Sequence, residues 1–359
     1  MWKKLLTAAS LLLGIGLFAF VIAKFGGIRN TFNVLVEFGW AGMAIYLGIA
    51  AMTLVAPALS WTLLMRGEGM TIPLSTALKA NFMGFPINFI APTMFLGAEP
   101  LKLLYVAQKH GQPKGKVLAT IIVGKFQEIG GLLFVMVVSA GIALWKIRFS
   151  REQTVLIVSA MTLLSVIFGL TLWAFLGNLQ PTVKVINFLA RFKRLRRRLA
   201  RLRTRAEEME HLIHAAFTHR WKLFLLAQAV TLLSAASIML RPWVFYYFAR
   251  DGHMLGIEHL CAIYLVTNVI NSLPHTPGGL GIFEGGMVGL FALLGLGEAN
   301  AAAYSVVNRA ADLLLILFGL YLIVHLGLQS LARRVAKGEE KVRVEDAEGA
   351  RESVPPTSP

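Results

Sequence analysis

The stretch Asn271 to Gly286, NSLPHTPGGLGIFEGG, constrains this chain more than any other, because it sets helix-breaking residues inside a run apolar enough to lie in lipid. Pro274 and Pro277 each lack a backbone donor, and Gly278, Gly279, Gly281, Gly285 and Gly286 release the chain to turn back on itself. A continuous helix is excluded. In hydrocarbon every backbone polar group needs a partner, so irregular backbone survives only where protein or a water-filled cavity supplies one. The stretch therefore reads as the wall of an intramembrane cavity, built in the manner of the broken helices of transporters.

Composition permits that reading. Of 359 residues 56% are hydrophobic and 15% charged, the mean hydropathy is +0.66, and the charges fall between long apolar runs. This is an all-α, polytopic membrane helix bundle rather than a soluble domain. The formal net charge of +16 fits basic cytoplasmic loops and contact with anionic lipid, so membrane lipids are the expected partners and nucleic acid is not. Cys261 is the single cysteine, which excludes an internal disulfide and argues against a cysteine metal site. His275, between Pro274 and Pro277, has no second ligand, so neither a metal nor another cofactor is expected.

Along the chain the plain apolar spans are Leu5 to Ala23, Trp40 to Met65 with Pro57 inside, Val117 to Lys146, Thr154 to Leu176, Trp221 to Phe248, and Ala301 to Leu328. Arg241, followed by Pro242, either lines the cavity or snorkels from a helix broken at the proline. The segment Leu74 to Gly111 is apolar but interrupted by Gly84, Pro86, Asn88, Pro92, Gly97, Glu99 and Pro100, which makes it a second broken or re-entrant element. From Lys184 to Arg205 basic residues recur without an acid until Glu207, with Phe188, Phe192, Leu195, Leu199 and Leu202 at helical spacing. That pattern predicts a basic amphipathic helix over about 184–210 lying on the anionic inner leaflet. Residues 1–331 are expected to form one membrane domain, and 332–359 a charged, unstructured tail.

Basic residues place both termini and the amphipathic helix on the cytoplasmic side, although Lys146, Arg148 and Arg151 then fall outside. In this topology the first broken segment opens from the cytoplasm and the second from the exterior. The two share an order of unusual residues. Asn88, Glu99, Lys125 and Glu128 in the first, over about 74–146, match Asn271, Glu284, Arg309 and Asp312 in the second, over about 257–328. Glu99 to Glu128 spans 128 − 99 = 29 positions and Glu284 to Asp312 spans 312 − 284 = 28. Lys125 with Glu128, and Arg309 with Asp312, each stand three apart and share a helix face. Charges in lipid are too costly to be placed idly, so the match predicts an inverted repeat of two broken hairpins. The two basic side chains, each about 13 Å into its span, would then meet near the midplane.

Those charges have two readings. They are internal ion pairs that let helices pack in lipid, or, together with Asn88 and Asn271, they line a polar track for a headgroup whose acyl chains stay in lipid. Glu99 and Glu284 then act as counter-charges or proton carriers.

The run LPHTPGGLGIFE, followed by a span with NRAADLLL, resembles the flippase-like integral membrane family built on the transmembrane domain of lysylphosphatidylglycerol synthase, the multiple peptide resistance factor. The resemblance covers roughly Leu5 to Leu331, with Pro277, Gly278, Gly279, Gly281 and Glu284 matching its proline-glycine-glycine and glutamate pattern. In the first half, LGAEPLK keeps Glu99 and Lys102 of that pattern but lacks the base expected before the glycine. The resemblance implies a lipid translocator of the bacterial inner membrane, acting on a phospholipid, aminoacylated lipid, hopanoid or lipid-linked glycan, with Lys102, Pro277, Gly278 and Gly279 joining the binding residues. Fewer than about 30 residues follow Ala332, too few for a synthase domain, so no enzyme activity and no catalytic residue is expected. Two alternatives stay open: a non-transporting scaffold for a lipid-synthesis partner protein, and a membrane-embedded lipid-modifying enzyme with Glu99 or Glu284 as base.

Overall fold

The computed structural model describes residues 28–90, 97–177, 179–180, 221–249, 254–272 and 277–352, a few single positions elsewhere and, beyond 327, the backbone only. The span expected at Leu5 to Ala23 and most of the basic helix at about 184–210 lie outside the described residues, as do Pro92, Pro274 and His275.

All regular structure among the described residues is helical: α1 (Ile28–Gly67), α2 (Leu74–Ile90), α3 (Glu99–His110), α4 (Lys114–Lys146), α5 (Arg151–Leu176), α6 (Trp221–Ala249), α7 (Ile257–Ser272), a 3-10 turn (Pro277–Gly279), α8 (Ile282–Leu293) and α9 (Glu298–Glu352). Five of them, α1, α4, α5, α6 and α9, carry apolar stretches long enough to cross a membrane. α5 shows the purest lipid face, with Val155, Leu156, Leu163, Leu170 and Trp173 all exposed along it. It starts at a capping box, in which the Ser150 hydroxyl accepts from the Gln153 N–H at 3.2 Å and the Gln153 side chain accepts from the Ser150 N–H at 2.9 Å.

α1 lies along α6 in the most extensive contact of the bundle. Small residues make it possible: Ala50 and Ala249 are buried, and a Cβ on Gly42 would stand 3.1 Å from Phe248. The short helix α2 packs on α9, and the short helix α7 packs on α4, so each broken segment leans on the long helix that follows the other. Beside the α1–α6 contact an aromatic core fills the space, with Phe245 5.5 Å and Phe291 5.9 Å from Tyr304, ring centre to ring centre.

The breaks are fewer than the sequence suggests. α2 runs through Gly84 and Pro86 to Ile90 without interruption. Pro86 leaves the Phe82 carbonyl without its helical donor, and that oxygen lies against Gly319 of α9, where a Cβ would collide with it and with the Pro86 ring. The proline therefore serves helix packing. α1 begins well before Trp40, because Gly39, at φ 62°, joins two helical pieces end to end. α9 runs on to Glu352, so the backbone over 332–352 is helical where an unstructured tail is expected; its run of Ala, Glu, Lys and Arg residues favours helix strongly enough to continue the span.

Candidate functional site

Glu99 opens α3, and the way the chain returns to it is set by Asn88. The Asn88 side-chain oxygen accepts the Ala98 N–H at 2.8 Å, joining the end of α2 to the start of α3. Glu99 thereby faces α4, where Lys125 lies 3.4 Å from its carboxylate and donates to Glu128 at 2.6 Å. Lys125 is thus held between two acids, one on its own helix and one at the head of the broken segment.

Lys102 sits one turn into α3. It is only 9% exposed, and among the described residues its ammonium has neither a hydrogen bond nor an ion pair. Gly84 makes room for it, since a Cβ there would stand 3.1 Å from the Lys102 stem. With Lys125 and Glu128 it lines a cavity of about 330 Å³, mouth included, whose other walls are Pro57, Ser60 and Trp61 of α1, Asn81 of α2 and Thr231 of α6. Gln127 braces that wall: fully buried, it accepts from Ser60 at 2.8 Å and donates to the Phe224 carbonyl at 2.8 Å.

The second broken segment builds a similar group. Glu284 stands in the first turn of α8, fully buried, and one of its oxygens takes the Gly281 N–H. The other accepts from Arg309 of α9 at 2.7 Å. Arg309 also donates to the Gly278 carbonyl at 2.6 Å, lies 4.0 Å from Asp312, and faces the Phe283 ring at 5.0 Å. Gly278 needs its left-handed φ of 64° to present that carbonyl, and a Cβ there would collide with Phe89. Gly279 is buried behind it, and Pro277 opens the turn.

Arg241 of α6 points inward. It donates to Asn308 at 3.1 Å, reaches the Ala50 carbonyl and the Thr53 hydroxyl at 3.4 Å each, and lies 3.9 Å from Asp312. Tyr46 donates to the same Asn308 oxygen at 3.0 Å, and Asn308 donates to Asp312 at 3.2 Å. An inward arginine is the sounder arrangement, because α9 supplies an amide and a carboxylate that a snorkelling side chain would forgo. Tyr46, Asn308 and Gln127 are absent from the sequence-based set; Asn308 alone carries a signal there, standing beside Arg309 and four residues before Asp312.

The structure thus brings together Glu99, Lys102, Lys125 and Glu128 in one cluster, and Gly278, Glu284, Arg309 and Asp312 in another. Asn88 is a structural tie. Asn271, half-buried at the end of α7, makes no bond to either cluster. The clusters are strung along α1 rather than fused in one hollow: the second touches Ala50 and Thr53, while the cavity begins at Pro57 and Ser60, about 10 Å further along the helix. Pro57 lies 99 − 57 = 42 residues before Glu99, and Pro242 lies 284 − 242 = 42 before Glu284. Among the described residues no three His, Cys, Asp or Glu side chains are grouped to hold a metal ion.

Residues 7–319 match the family described as the lysylphosphatidylglycerol synthase TM region. A UPF0104 membrane protein of Methanothermobacter thermautotrophicus is 24% identical over 331 residues, which is 88% of this chain and 92% of that protein. Another UPF0104 membrane protein, from Methanocaldococcus jannaschii, is 22% identical over 318 residues, 88% of this chain and 94% of its own length. No solved structure matches.

Proposed function

Because the chain belongs to the lysylphosphatidylglycerol synthase TM region family, we propose that this multi-pass membrane protein translocates lipid, passing a polar headgroup through its interior while the acyl chains stay in the bilayer. The observation that carries this reading is the pair of buried acid–base–acid clusters at the heads of the two broken segments, one of them beside a cavity. Charged groups inside a membrane bundle are expensive and mark pathways more often than packing. Transport without chemistry on the lipid is the proposed activity, and a phospholipid, aminoacylated lipid, hopanoid or lipid-linked glycan is the proposed cargo.

An inverted repeat of two re-entrant hairpins is the proposed architecture for that task. The equal Pro57–Glu99 and Pro242–Glu284 separations support it, and so does the exchange of contacts in which α2 rests on α9 while α7 rests on α4. The proposed location is the cytoplasmic membrane of a prokaryote, with both termini on the cytoplasmic side and the basic 184–205 run on the anionic inner leaflet.

Reconstitution into vesicles carrying labelled lipid tests the proposal. Labelled headgroups are expected to reach the opposite leaflet faster than in protein-free vesicles. No acceleration with any phospholipid, hopanoid or polyprenyl lipid overturns the reading. A scaffold for a lipid-synthesis partner is the second reading, favoured by the protein acceptors that Arg241 and Arg309 already have in Asn308, Glu284 and the Gly278 carbonyl. In that case Lys125→Met leaves cellular function intact.

A further inference from the structure

We propose that Lys102 is the anchor for one phosphate anion, a phosphodiester in a lipid headgroup or a free phosphate, inside the cavity between α1, α3 and α4. This names the substrate class of the translocation site and in that respect rests on the reading above. Lys102 is nine-tenths buried, lines the cavity, and has no hydrogen bond or ion pair among the described residues. A buried ammonium normally finds a carboxylate or several acceptors, because its desolvation is otherwise uncompensated. Here the two neighbouring carboxylates are both turned to Lys125, at 3.4 Å and 2.6 Å.

The other donors around the cavity are already used. Ser60 donates to Gln127, the Trp61 indole to Thr120 at 3.0 Å, Asn81 to the Leu54 carbonyl at 3.2 Å, and Thr231 to the Ala227 carbonyl at 2.9 Å. Lys102 brings three N–H donors to the cavity with no acceptor among the described residues, and they call for an anion with several acceptor oxygens. The acceptors that a cationic group would need there, the Glu99 and Glu128 carboxylates, already face the Lys125 ammonium, which neutralises part of their charge. As it stands the cavity has room for about one water molecule, so an anion of phosphate size needs its walls to part.

The second cluster gives the internal control. Its additional cation, Arg241, donates through both terminal nitrogens to Asn308, Ala50 and Thr53, so that among the described residues only its Nε and one nitrogen of Arg309 are left without an acceptor, whereas the whole Lys102 ammonium is. The fully unbonded cation and the cavity coincide in the first broken segment, and the anion is assigned there.

Calorimetric titration of the detergent-purified full chain tests this with three probes: dihexanoyl phosphatidylglycerol, dihexanoylglycerol as its neutral counterpart, and inorganic phosphate. The phosphatidylglycerol is expected to bind and the neutral lipid not. Lys102→Met is expected to weaken that binding at least about tenfold, a loss of roughly 1.4 kcal/mol, and Lys102→Arg to restore most of it. Thermal unfolding of each variant separates loss of binding from loss of fold. Binding of inorganic phosphate with the same dependence on Lys102 supports the anion site and assigns it to free phosphate, which counts against lipid as cargo. Equal binding by wild type and Lys102→Met, or equal binding of the neutral lipid, overturns the proposal. If Lys102→Met vesicles still translocate lipid at the wild-type rate, the anchor falls while lipid translocation stands.

Discussion

The two clusters contain the same three groups and differ in a fourth. In each, a base on a long helix is held between an acid three residues on and a glutamate at the head of a broken segment: Lys125 between Glu128 and Glu99, Arg309 between Asp312 and Glu284. The second then adds Arg241, which α1 and α9 bond on three sides, while the first adds Lys102, which has no hydrogen bond or ion pair among the described residues. Arginine explains part of this difference, since its planar fork of donors reaches Asn308, Ala50 and Thr53 at once, where an ammonium is a single point. The lesson is that one arrangement of charge can serve as a lock in one half of a molecule and as an open site in the other. What decides is whether the neighbouring helix supplies acceptors.

That comparison predicts unequal costs. Arg309→Met strands a fully buried Glu284 carboxylate and leaves the Gly278 carbonyl unpaired, which should destabilise the fold by about 3–5 kcal/mol. Lys125→Met leaves its acids beside a cavity that admits water, and should cost only about 1–3 kcal/mol. Denaturant unfolding in mild detergent measures both, and the reverse order would break the comparison. Glycines in the two regions should follow the same ranking. Gly278→Ala meets both a left-handed φ and the Phe89 ring, for about 1–3 kcal/mol, whereas at Gly124, beside Lys125, the new Cβ would find only Leu64 at 3.8 Å and cost less than about 0.5 kcal/mol.

The smallest expected effect lies at the end of α3. Burial, and next to it the charge of Lys109, lowers the pKa of His110 below its ordinary 6.5, and the ring meets the Thr76 hydroxyl at 3.0 Å. The folded state therefore prefers the neutral ring. Its contribution is complete above the unfolded pKa and is lost as pH falls below it. Melting temperatures at about pH 7.5 and about pH 5.5 should differ more in wild type than in His110→Gln, and no change in that difference would remove this tie between α3 and α2.

Much of the cluster chemistry was legible because ionised side chains in an apolar run are conspicuous. The spacings linking Glu99, Lys125 and Glu128, and Glu284, Arg309 and Asp312, were enough to group them, and the structure joins each triad. Uncharged partners far apart along the chain were not legible. Tyr46 meets Asn308 across 262 positions, and nothing local in the sequence marks such a pair. Arg241 stayed ambiguous for the same reason, since its acceptors lie on α1 and α9 rather than on its own helix. Pro86 looked like a break because the sequence does not show that Gly319 receives the carbonyl it frees. Five long apolar helices were plain from length and hydropathy, while the helical course to Glu352 was hidden by charge, which speaks against burial and not against helix.

Cysteine accessibility tests the difference between the halves most directly, because Cys261 is the single native cysteine and is buried. In a Cys261→Ala background, Gly124→Cys places a thiol on the cavity wall at a half-buried position with room for a Cβ, and Ser305→Cys places one on α9, one turn before Arg309, where the side chain is fully buried. An anionic, water-soluble thiosulfonate reagent should modify the first several times faster than the second in membranes. Equal rates, or faster modification at position 305, would contradict an open first cluster and a locked second one.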